Sequence, residues 1–196
     1  RHSCIWPAVC PNLNTDHSEL TSLYKKVNSL PGIKKAFIGS GVRYDLLLQD
    51  WNKKAGRAEN EYLRELITGH VSGRLKVAPE HTSGEVIRLM RKAPFDLFRQ
   101  LKSRFDAIIR KEQLNYEIIP YFISSHPGCT DKDMKDLVEE MKSMGIKPEQ
   151  VQDFTPTPMT LATAMYYLGF DPYTGRKVHV IRDIPGKRRQ KEYFFR

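Results

Sequence analysis

A chain of 196 residues has the length of one domain and is long enough to bury a hydrophobic core. Hydrophobic residues make up 40% of it and charged residues 28%, so the composition excludes a disordered, collagen-like or low-complexity chain. Lysine and arginine outnumber aspartate and glutamate by 32 to 23. The resulting net charge of +9 favours anionic partners such as phosphate groups or nucleic acid.

No apolar run approaches the roughly 20 residues that a membrane-spanning helix needs, and no segment resembles a signal peptide. The three cysteines, Cys4, Cys10 and Cys129, form an odd set that is typical of a reducing compartment. We therefore expect a cytoplasmic protein with no membrane partner. The chain opens at Arg1 without an initiator methionine and ends at Arg196 soon after a basic stretch, which predicts that it is a piece of a longer protein.

The first half of the sequence predicts a loop followed by two helix-to-strand units. Prolines near cysteines indicate a loop over residues 4–12, and leucines at helical spacing then predict a helix that Pro31 ends. A strand over residues 33–42 follows. The pattern next predicts a helix that begins near Glu59 and a strand over residues 75–78.

The second half continues the same alternation. In chain order it predicts a helix capped by Thr82 or Ser83 and interrupted near Pro94, a strand over residues 118–123, a helix that opens with a capping box of Thr130 and Asp133, a strand over residues 151–155, and a helix over residues 159–168. Everything after Gly169 is typical of a basic loop.

Four strands that alternate with helices predict an α/β fold with a parallel sheet, because parallel neighbours need a crossover that is usually a helix. The pattern does not decide between an open sheet and a barrel. In both architectures the loops that leave the carboxyl ends of the strands converge on one face. We therefore expect one site assembled from the polar residues that follow the strands, namely Ser40, Gly41, Glu80, His81, Ser124, His126, Gly128, Asp153 and Thr155.

The histidines of this expected site have two interpretations. His81 and His126 could transfer protons or bind a metal with Glu80 as a partner, or each could hydrogen-bond a loop backbone. Cys129 could act as a nucleophile if its side chain meets that of His126. The Gly-Ser-Gly run at Ser40 does not complete a phosphate-binding or dinucleotide-binding motif and is typical of a tight turn.

Two other functions stay open at this level. Five residues separate Cys4 from Cys10, which is wider than the usual zinc half-site, so a zinc or redox protein would need a further histidine ligand. Residues 186–195 mix the cations of Lys187 to Lys191 with aromatic residues, as single-stranded nucleic-acid binders do. The same run is also typical of a solvated terminus.

Five segments of the chain, taken together, resemble successive blocks of the YgiQ-like family of radical S-adenosylmethionine (SAM) proteins. In chain order they are SCIWPAVCPNLNTDH (residues 3–17), GSGVRYD (39–45), LKVAPEHT (75–82), IPYFISSHPG (119–128) and VQDFTPTP (151–158). The resemblance is collinear over about positions 3 to 175, and five long blocks in order form a highly specific signal.

The resemblance implies a partial (β/α)6 TIM-like barrel that binds a 4Fe-4S cluster and SAM and generates a 5′-deoxyadenosyl radical. The family holds its cluster with a Cys-x3-Cys-x2-Cys motif after the first strand, and this sequence contains no such motif. Residues 1–170 would then form the distal part of the barrel, with its third to sixth strands, and residues 171–196 a basic C-terminal extension. We expect this piece alone to be inactive, and to pair with the missing N-terminal half or to self-associate.

The resemblance also implies cofactor-binding positions around SAM. These are Ser40, Gly41 and Arg43 after the third strand, Lys76, Glu80 and His81 at the fourth, Ser124, His126 and Gly128 after the fifth, and Phe154 at the sixth. Cys4 and Cys10 could ligate an auxiliary metal centre. The substrate and the catalytic residues remain unassigned. The alternative function is that of a non-enzymatic basic α/β module that binds RNA.

Overall fold

The computed structural model describes residues 3–49, 56–147 and 149–195, so Arg1, His2 and Arg196 lie outside the described residues. Helices and strands follow in the order α1 (Ser18–Asn28), α2 (Tyr44–Gln49), α3 (Gly56–His70), β1 (Arg74–Glu80), α4 (Gly84–Met90), α5 (Phe95–Lys111), β2 (Glu117–Ser124), α6 (Asp131–Ser143), β3 (Gln150–Asp153), α7 (Leu161–Leu168) and α8 (Ile184–Glu192). None of the helices in these segments is long and apolar enough to cross a membrane.

The strands form a parallel sheet in the order β1-β2-β3. The register pairs Phe122 with Val151 and Ser124 with Asp153, so the carboxyl ends of β2 and β3 lie side by side. The predicted α/β class with a parallel sheet is therefore confirmed. Of the four predicted strands, the described residues contain three.

The predicted strand over residues 33–42 is wrong, because this segment has no regular secondary structure. Asn28 and His70 supply hydrogen bonds to the backbone of this segment that a neighbouring strand would otherwise supply. The amide nitrogen of Ala36 donates to Asn28 Oδ1 at 2.9 Å, and its carbonyl oxygen accepts from His70 Nδ1 at 2.8 Å. Ile38 N then donates to the carbonyl oxygen of His70 at 2.9 Å. A backbone that is satisfied in this way has no reason to pair with a sheet.

The chain divides into two compact units, Arg1–Val77 with Asp96–Ile119 and Ala78–Phe95 with Pro120–Arg196. In the first unit α1 packs on α3, and the core is made of fully buried apolar side chains from Leu47, Leu63, Leu66, Ile67, Phe98, Leu101 and Phe105. In the second unit the fully buried apolar side chains include Val86, Phe122, Met134, Leu137, Met141 and Met165. Each unit thus has its own hydrophobic core.

The helix α6 begins as the sequence predicts. Thr130 Oγ1 accepts from the amide nitrogen of Asp133 at 3.2 Å, and Asp133 Oδ2 accepts from the amide nitrogen of Thr130 at 2.9 Å. This reciprocal pair satisfies two amide groups at the start of the helix, which confirms the capping box. The break between α4 and α5 near Pro94 is also confirmed.

The predicted loop after Gly169 is wrong in its last part, where α8 forms. The side chain of Asp183 accepts from Gly186 N at 2.7 Å, and Pro185 occupies the first turn, so the helix start follows the usual capping rules. Its sequence, IPGKRRQKE, is so polar that no apolar periodicity marks it. The buried residues of α8 are Gly186 and Gln190.

Candidate functional site

A cavity of about 480 Å³ lies in the second unit, at the carboxyl ends of the strands. Its volume falls within the range of about 300–1,000 Å³ that small-molecule sites occupy. Glu80, the last residue of β1, Asp153, the last residue of β3, and His126 and Phe154, which follow β2 and β3, all contribute to the lining. Threonine hydroxyl groups and the cations Arg91 and Lys92 complete its polar part.

Glu80 adopts a left-handed backbone conformation, with φ of 67°. This conformation is uncommon for a residue other than glycine, and such positions cluster at functional sites. The Glu80 carboxylate Oε1 lies 3.0 Å from Nζ of Lys92, and both side chains line the cavity. The pair gives one region of the wall a carboxylate and an ammonium group.

His126 lies in the turn between β2 and α6 and is 4% exposed. Its Nδ1 lies 2.8 Å from the carbonyl oxygen of Pro127, so Nδ1 carries the proton and donates to that oxygen. Burial lowers the pKa of His126 to about 4, which keeps the ring neutral at pH 7 and leaves Nε2 with its lone pair. The ring meets Phe154 edge-on, with the two centroids 5.1 Å apart.

Ser124 and Asp153 join the ends of β2 and β3. Ser124 Oγ donates to Asp153 Oδ1 at 2.7 Å, and the carbonyl oxygen of Ser124 accepts from the amide nitrogen of Phe154 at 2.8 Å. Ser124 is fully buried, so its hydroxyl acts in this link. The link fixes Phe154, whose ring also packs on Tyr166 at 5.7 Å between centroids.

Gln190 of α8 clasps the turn that carries His126. Its Oε1 accepts from the amide nitrogen of Ser125 at 2.9 Å, and its Nε2 donates to the carbonyl oxygen of Cys129 at 3.2 Å. Gln190 is fully buried, and one amide side chain thus holds both ends of the turn. Sequence reasoning missed this residue, because a glutamine inside a basic run carries no signal of burial.

His81 lies in a buried polar cluster of the second unit. Its Nδ1 accepts from the amide nitrogens of Thr82 and Ser83 at 2.9 and 3.0 Å, so the proton resides on Nε2. That Nε2 lies 3.4 Å from Sγ of Cys129. Burial lowers the pKa of His81 to about 4, and the neutral ring orders the start of the segment that leads into α4.

Cys129 lacks the solvent exposure and the low pKa of a reactive thiol. It is 1% exposed, and burial raises the pKa of its thiol to about 12. Sγ lies 3.5 Å from Oε1 of Gln190, to which it can donate. Because the thiolate is the nucleophile, this geometry argues against the nucleophile hypothesis.

Gly128 has a packing role in the same turn. Its φ is +93°, and a Cβ at this position would lie 2.4 Å from Cδ1 of Leu89. Its amide nitrogen donates to the carbonyl oxygen of His179 at 2.7 Å. A side chain here would displace Leu89, which itself lines the cavity.

The remaining predicted binding residues belong to the first unit and are exposed there: Ser40, Gly41, Arg43 and Lys76. Arg43 Nε donates to Asp45 Oδ1 at 2.8 Å, and this hydrogen bond raises the pKa of the guanidinium. The candidate site described by the cavity therefore unites Glu80, His126 and Phe154 with the adjacent Ser124 and Gly128, all from the second unit.

Cys4 and Cys10 are linked through their backbones, since Cys10 N donates to the carbonyl oxygen of Cys4 at 2.8 Å. Cys4 is exposed and Cys10 half-buried, and both thiols are free. Within residues 3–49, 56–147 and 149–195, no three histidine, cysteine or acidic side chains are grouped so as to hold a metal ion.

Three of the α8 cations predicted to bind RNA, Lys187, Arg189 and Lys191, have intramolecular partners outside α8. Arg189 Nε lies 2.8 Å from Asp131 Oδ2, and Lys191 Nζ lies 3.8 Å from an oxygen of Asp153. Lys187 Nζ donates to the carbonyl oxygen of Phe154 at 3.5 Å and lies 5.2 Å from the ring centroid of Tyr166. These contacts indicate that part of the basic run serves to pack α8 within the second unit.

Parallel β/α units with a cavity at the carboxyl ends of the strands define a class of α/β protein in which ligands bind at this edge. Residues 149–196, which include β3, α7 and α8, match a domain of unknown function (DUF3362). That match covers Asp153, Phe154 and the clasping Gln190.

The chain is homologous to UPF0313 proteins. It is 56% identical over 196 residues to a UPF0313 protein of Bacteroides thetaiotaomicron, which covers all of this chain and 32% of the relative. It is 54% identical over 194 residues to a UPF0313 protein of Porphyromonas gingivalis, an alignment that covers 98% of this chain and 31% of the relative. It is 47% identical over 185 residues to a UPF0313 protein of Methanocella arvoryzae, an alignment that covers 94% of this chain and 29% of the relative. The chain thus spans about a third of the length of these proteins.

Proposed function

We propose that this chain is the distal part of the SAM-binding barrel of a radical SAM iron-sulfur enzyme. The proposal starts from the five segments that resemble the YgiQ-like family. The observation that carries it further is that Glu80, His126 and Phe154, three positions to which the resemblance assigns SAM binding, line one cavity. The substrate stays unassigned, because shared cofactor chemistry does not define it.

The residues of the cavity suit the functional groups of SAM. The Glu80 carboxylate can accept hydrogen bonds from ribose hydroxyls or an amino group, and Phe154 offers an aromatic contact to the adenine. Arg91 and Lys92 can bind the methionyl carboxylate. Bound SAM supplies a 5′-deoxyadenosyl radical when a reduced cluster cleaves it, while the residues of this chain bind and orient the nucleoside and exclude water.

The cysteines of this chain do not fit a 4Fe-4S cluster, which needs three or four thiolates in one place. Cys129 is buried against His81, and Cys4 and Cys10 lack the family spacing. We therefore assign the cluster ligands to the part of the parent protein outside this chain and derive no step through the cluster. A role of Cys4 and Cys10 in an auxiliary metal centre, or in a zinc site, would need further ligands from outside the described residues.

The decisive experiment uses the full-length protein that contains this chain, reconstituted anaerobically with iron and sulfide. With a reductant and SAM it should form 5′-deoxyadenosine and methionine. Phe154→Ala should raise the SAM concentration needed for half-maximal cleavage about tenfold, because a buried aromatic contact is lost. Phe170→Ala makes the same substitution outside the cavity lining and should leave that concentration unchanged.

Two results would contradict the proposal. One is a fully loaded cluster that neither cleaves SAM nor changes its electron paramagnetic resonance signal on SAM addition. The other is an equal effect of Phe154→Ala and Phe170→Ala. The 196-residue chain alone should not cleave SAM, since it lacks the cluster motif.

RNA binding is a second candidate function, and one observation favours it. Aromatic rings and cations are exposed together over residues 167–182. Tyr173 is 62% exposed with the guanidinium of Arg91 4.8 Å from its ring centroid, and Tyr167 is 70% exposed with its carbonyl oxygen bound by Arg182 at 3.1 Å. Exposed rings next to cations are the features that stack and attract single-stranded nucleic acid.

Fluorescence anisotropy with a labelled single-stranded RNA tests this alternative. Tyr173→Ala should weaken binding about tenfold, and raising the salt from about 50 to 200 mM should weaken it further. Phe195→Ala changes an exposed ring on the tail and should have little effect. Absence of binding at about 50 mM salt would remove this function.

A further inference from the structure

His126 combines deep burial in the cavity wall with one unused ring nitrogen. Its Nδ1 proton is committed to the carbonyl oxygen of Pro127 at 2.8 Å. Among the residues that the structure describes, none forms a hydrogen bond with Nε2. In a neutral ring with the proton on Nδ1, the nitrogen Nε2 can only accept.

We infer that Nε2 of His126 accepts a hydrogen bond from an N–H or O–H group of the ligand, and that it thereby selects ligands that present a donor at this point. The inference rests on the proposed function, which identifies the donor as the adenine amino group or a ribose hydroxyl of SAM. His126 is then a specificity residue rather than a source of protons for the reaction.

The other acceptors of the cavity wall differ from His126 because protein groups already pair with them. Glu80 is paired with Lys92 at 3.0 Å. Asp153 accepts from Ser124 Oγ at 2.7 Å and faces the ammonium of Lys191 at 3.8 Å. Among these three side chains, His126 contributes the neutral acceptor that has no protein partner among the described residues.

The ring is also held in place, so it cannot adapt to a ligand without a donor. A ring flip would break the hydrogen bond to Pro127 and the edge contact with Phe154. The turn beneath it is fixed by Gln190 through Ser125 N and Cys129 O. Because a buried acceptor without a partner is costly, a ligand that lacks the donor should bind about 10- to 100-fold more weakly.

Nucleoside competition against SAM in the full-length protein tests this inference. Adenosine is the reference competitor. Three analogues each lack one donor: purine riboside lacks the amino group, 2′-deoxyadenosine the 2′-hydroxyl and 3′-deoxyadenosine the 3′-hydroxyl. With the unchanged protein, at least one of the three analogues should bind at least about tenfold more weakly than adenosine, and the analogue whose loss of affinity disappears in His126→Ala reveals which donor His126 binds.

Three variants separate hydrogen bonding from packing. His126→Ala should lose the discrimination against the analogue that lacks the donor bound by Nε2, while any hydrogen bond from the ligand to Glu80 is retained. His126→Gln places an amide oxygen near the position of Nε2 and should restore part of the discrimination. His179→Ala removes an exposed imidazole outside the cavity lining and should retain the full discrimination.

The outcomes also separate this inference from the proposed function. If adenosine competes but no analogue is discriminated, or if His126→Ala discriminates as well as the unchanged protein, the inference is wrong while SAM binding stands. If no nucleoside competes and SAM is not bound, both are wrong. Nitrogen-15 spectra of the 196-residue chain provide a ligand-free check, because a proton on Nε2 at pH 7 would also overturn the inference.

Discussion

Two buried histidines, one in each unit, make the same first hydrogen bond and differ in the second. His70 and His126 are 2% and 4% exposed, and each donates from Nδ1 to a backbone carbonyl oxygen at 2.8 Å. In His70 the second nitrogen, Nε2, lies 3.2 Å from Nδ2 of Asn28, whereas Nε2 of His126 has no partner among the described residues.

The difference distinguishes a structural histidine from a candidate binding histidine. His70 organises residues 33–38, because its ring and Asn28 together hold both backbone groups of Ala36. His126 lines the cavity, and its ring is oriented by one nitrogen while the other has no partner among the described residues. Burial and a hydrogen bond from Nδ1 to a backbone carbonyl oxygen are common to the two rings, so the unused nitrogen of His126 is the informative feature.

Protonation should give the largest effect, because it affects the histidines of the second unit directly. Burial lowers the pKa values of His81 and His126 to about 4, against 6.5 in an unfolded chain. The unfolded state therefore binds protons first, so the free energy of unfolding is full above pH 6.5 and falls as the pH drops to about 4, by about 3 kcal/mol per ring.

Urea unfolding at pH 7.5, 6 and 5 measures this loss. His81→Asn keeps an oxygen near the position of Nδ1 and removes one titrating ring, so it should reduce the pH dependence by about half. A midpoint that does not change between pH 7.5 and 5 would contradict the burial of both rings.

His70→Ala tests the structural side of the comparison. It leaves the Ala36 carbonyl oxygen without the hydrogen bond from Nδ1, removes the contact between Nε2 and the Asn28 amide, and removes a ring that packs on Tyr24 at 4.6 Å. We expect a loss of about 2–4 kcal/mol in the free energy of unfolding, with unchanged ligand affinity. His179→Ala is the exposed control. If His70→Ala weakens ligand binding without lowering the free energy of unfolding, the assignment of His70 as a structural histidine is wrong.

Gln190→Met tests whether the clasp supports the turn of His126. Methionine has a similar volume but leaves Ser125 N and Cys129 O without hydrogen bonds, at an expected loss of about 2–3 kcal/mol. The matched control, Gln100→Met on the exposed face of α5, should change stability by less than about 0.5 kcal/mol. Equal denaturation midpoints for the two variants would show that the clasp is dispensable.

Thr130→Ala should have the smallest effect, since it weakens the far end of the same turn. It removes the acceptor for Asp133 N and should lower the free energy of unfolding by about 1 kcal/mol. Ser143→Ala changes an exposed hydroxyl at the other end of α6 and serves as the control. Thermal unfolding of both variants measures this difference. If Ser143→Ala lowers the melting temperature more than Thr130→Ala does, the prediction is wrong.

The sequence predicted the parts of the fold that rest on local rules. The apolar run of β2 and the pairing of Thr130 with Asp133 are local signals, and both elements formed as predicted. The segment around Ala36 has the composition of a strand, but its hydrogen bonds go to Asn28 and His70, which are separated from it in sequence. No periodicity contains that information.

The candidate site shows the same limit. Glu80, His126 and Phe154 could be proposed from their positions after strands, and the structure places them around one cavity. Gln190 could not, because its role depends on a contact across 65 residues with Ser125. The SAM chemistry itself remains a proposal that rests on the family resemblance.

The clasp by Gln190 has a consequence for synthesis on the ribosome. Ser125 emerges 65 residues before its partner, and translation at about 5–20 residues per second makes the turn wait about 3–13 s. During that interval the Ser125 amide and the Cys129 carbonyl must be satisfied by water. The cavity wall that carries His126 is therefore completed by one of the last helices of this chain to be translated, and nascent chains halted before α8 should lack an ordered site.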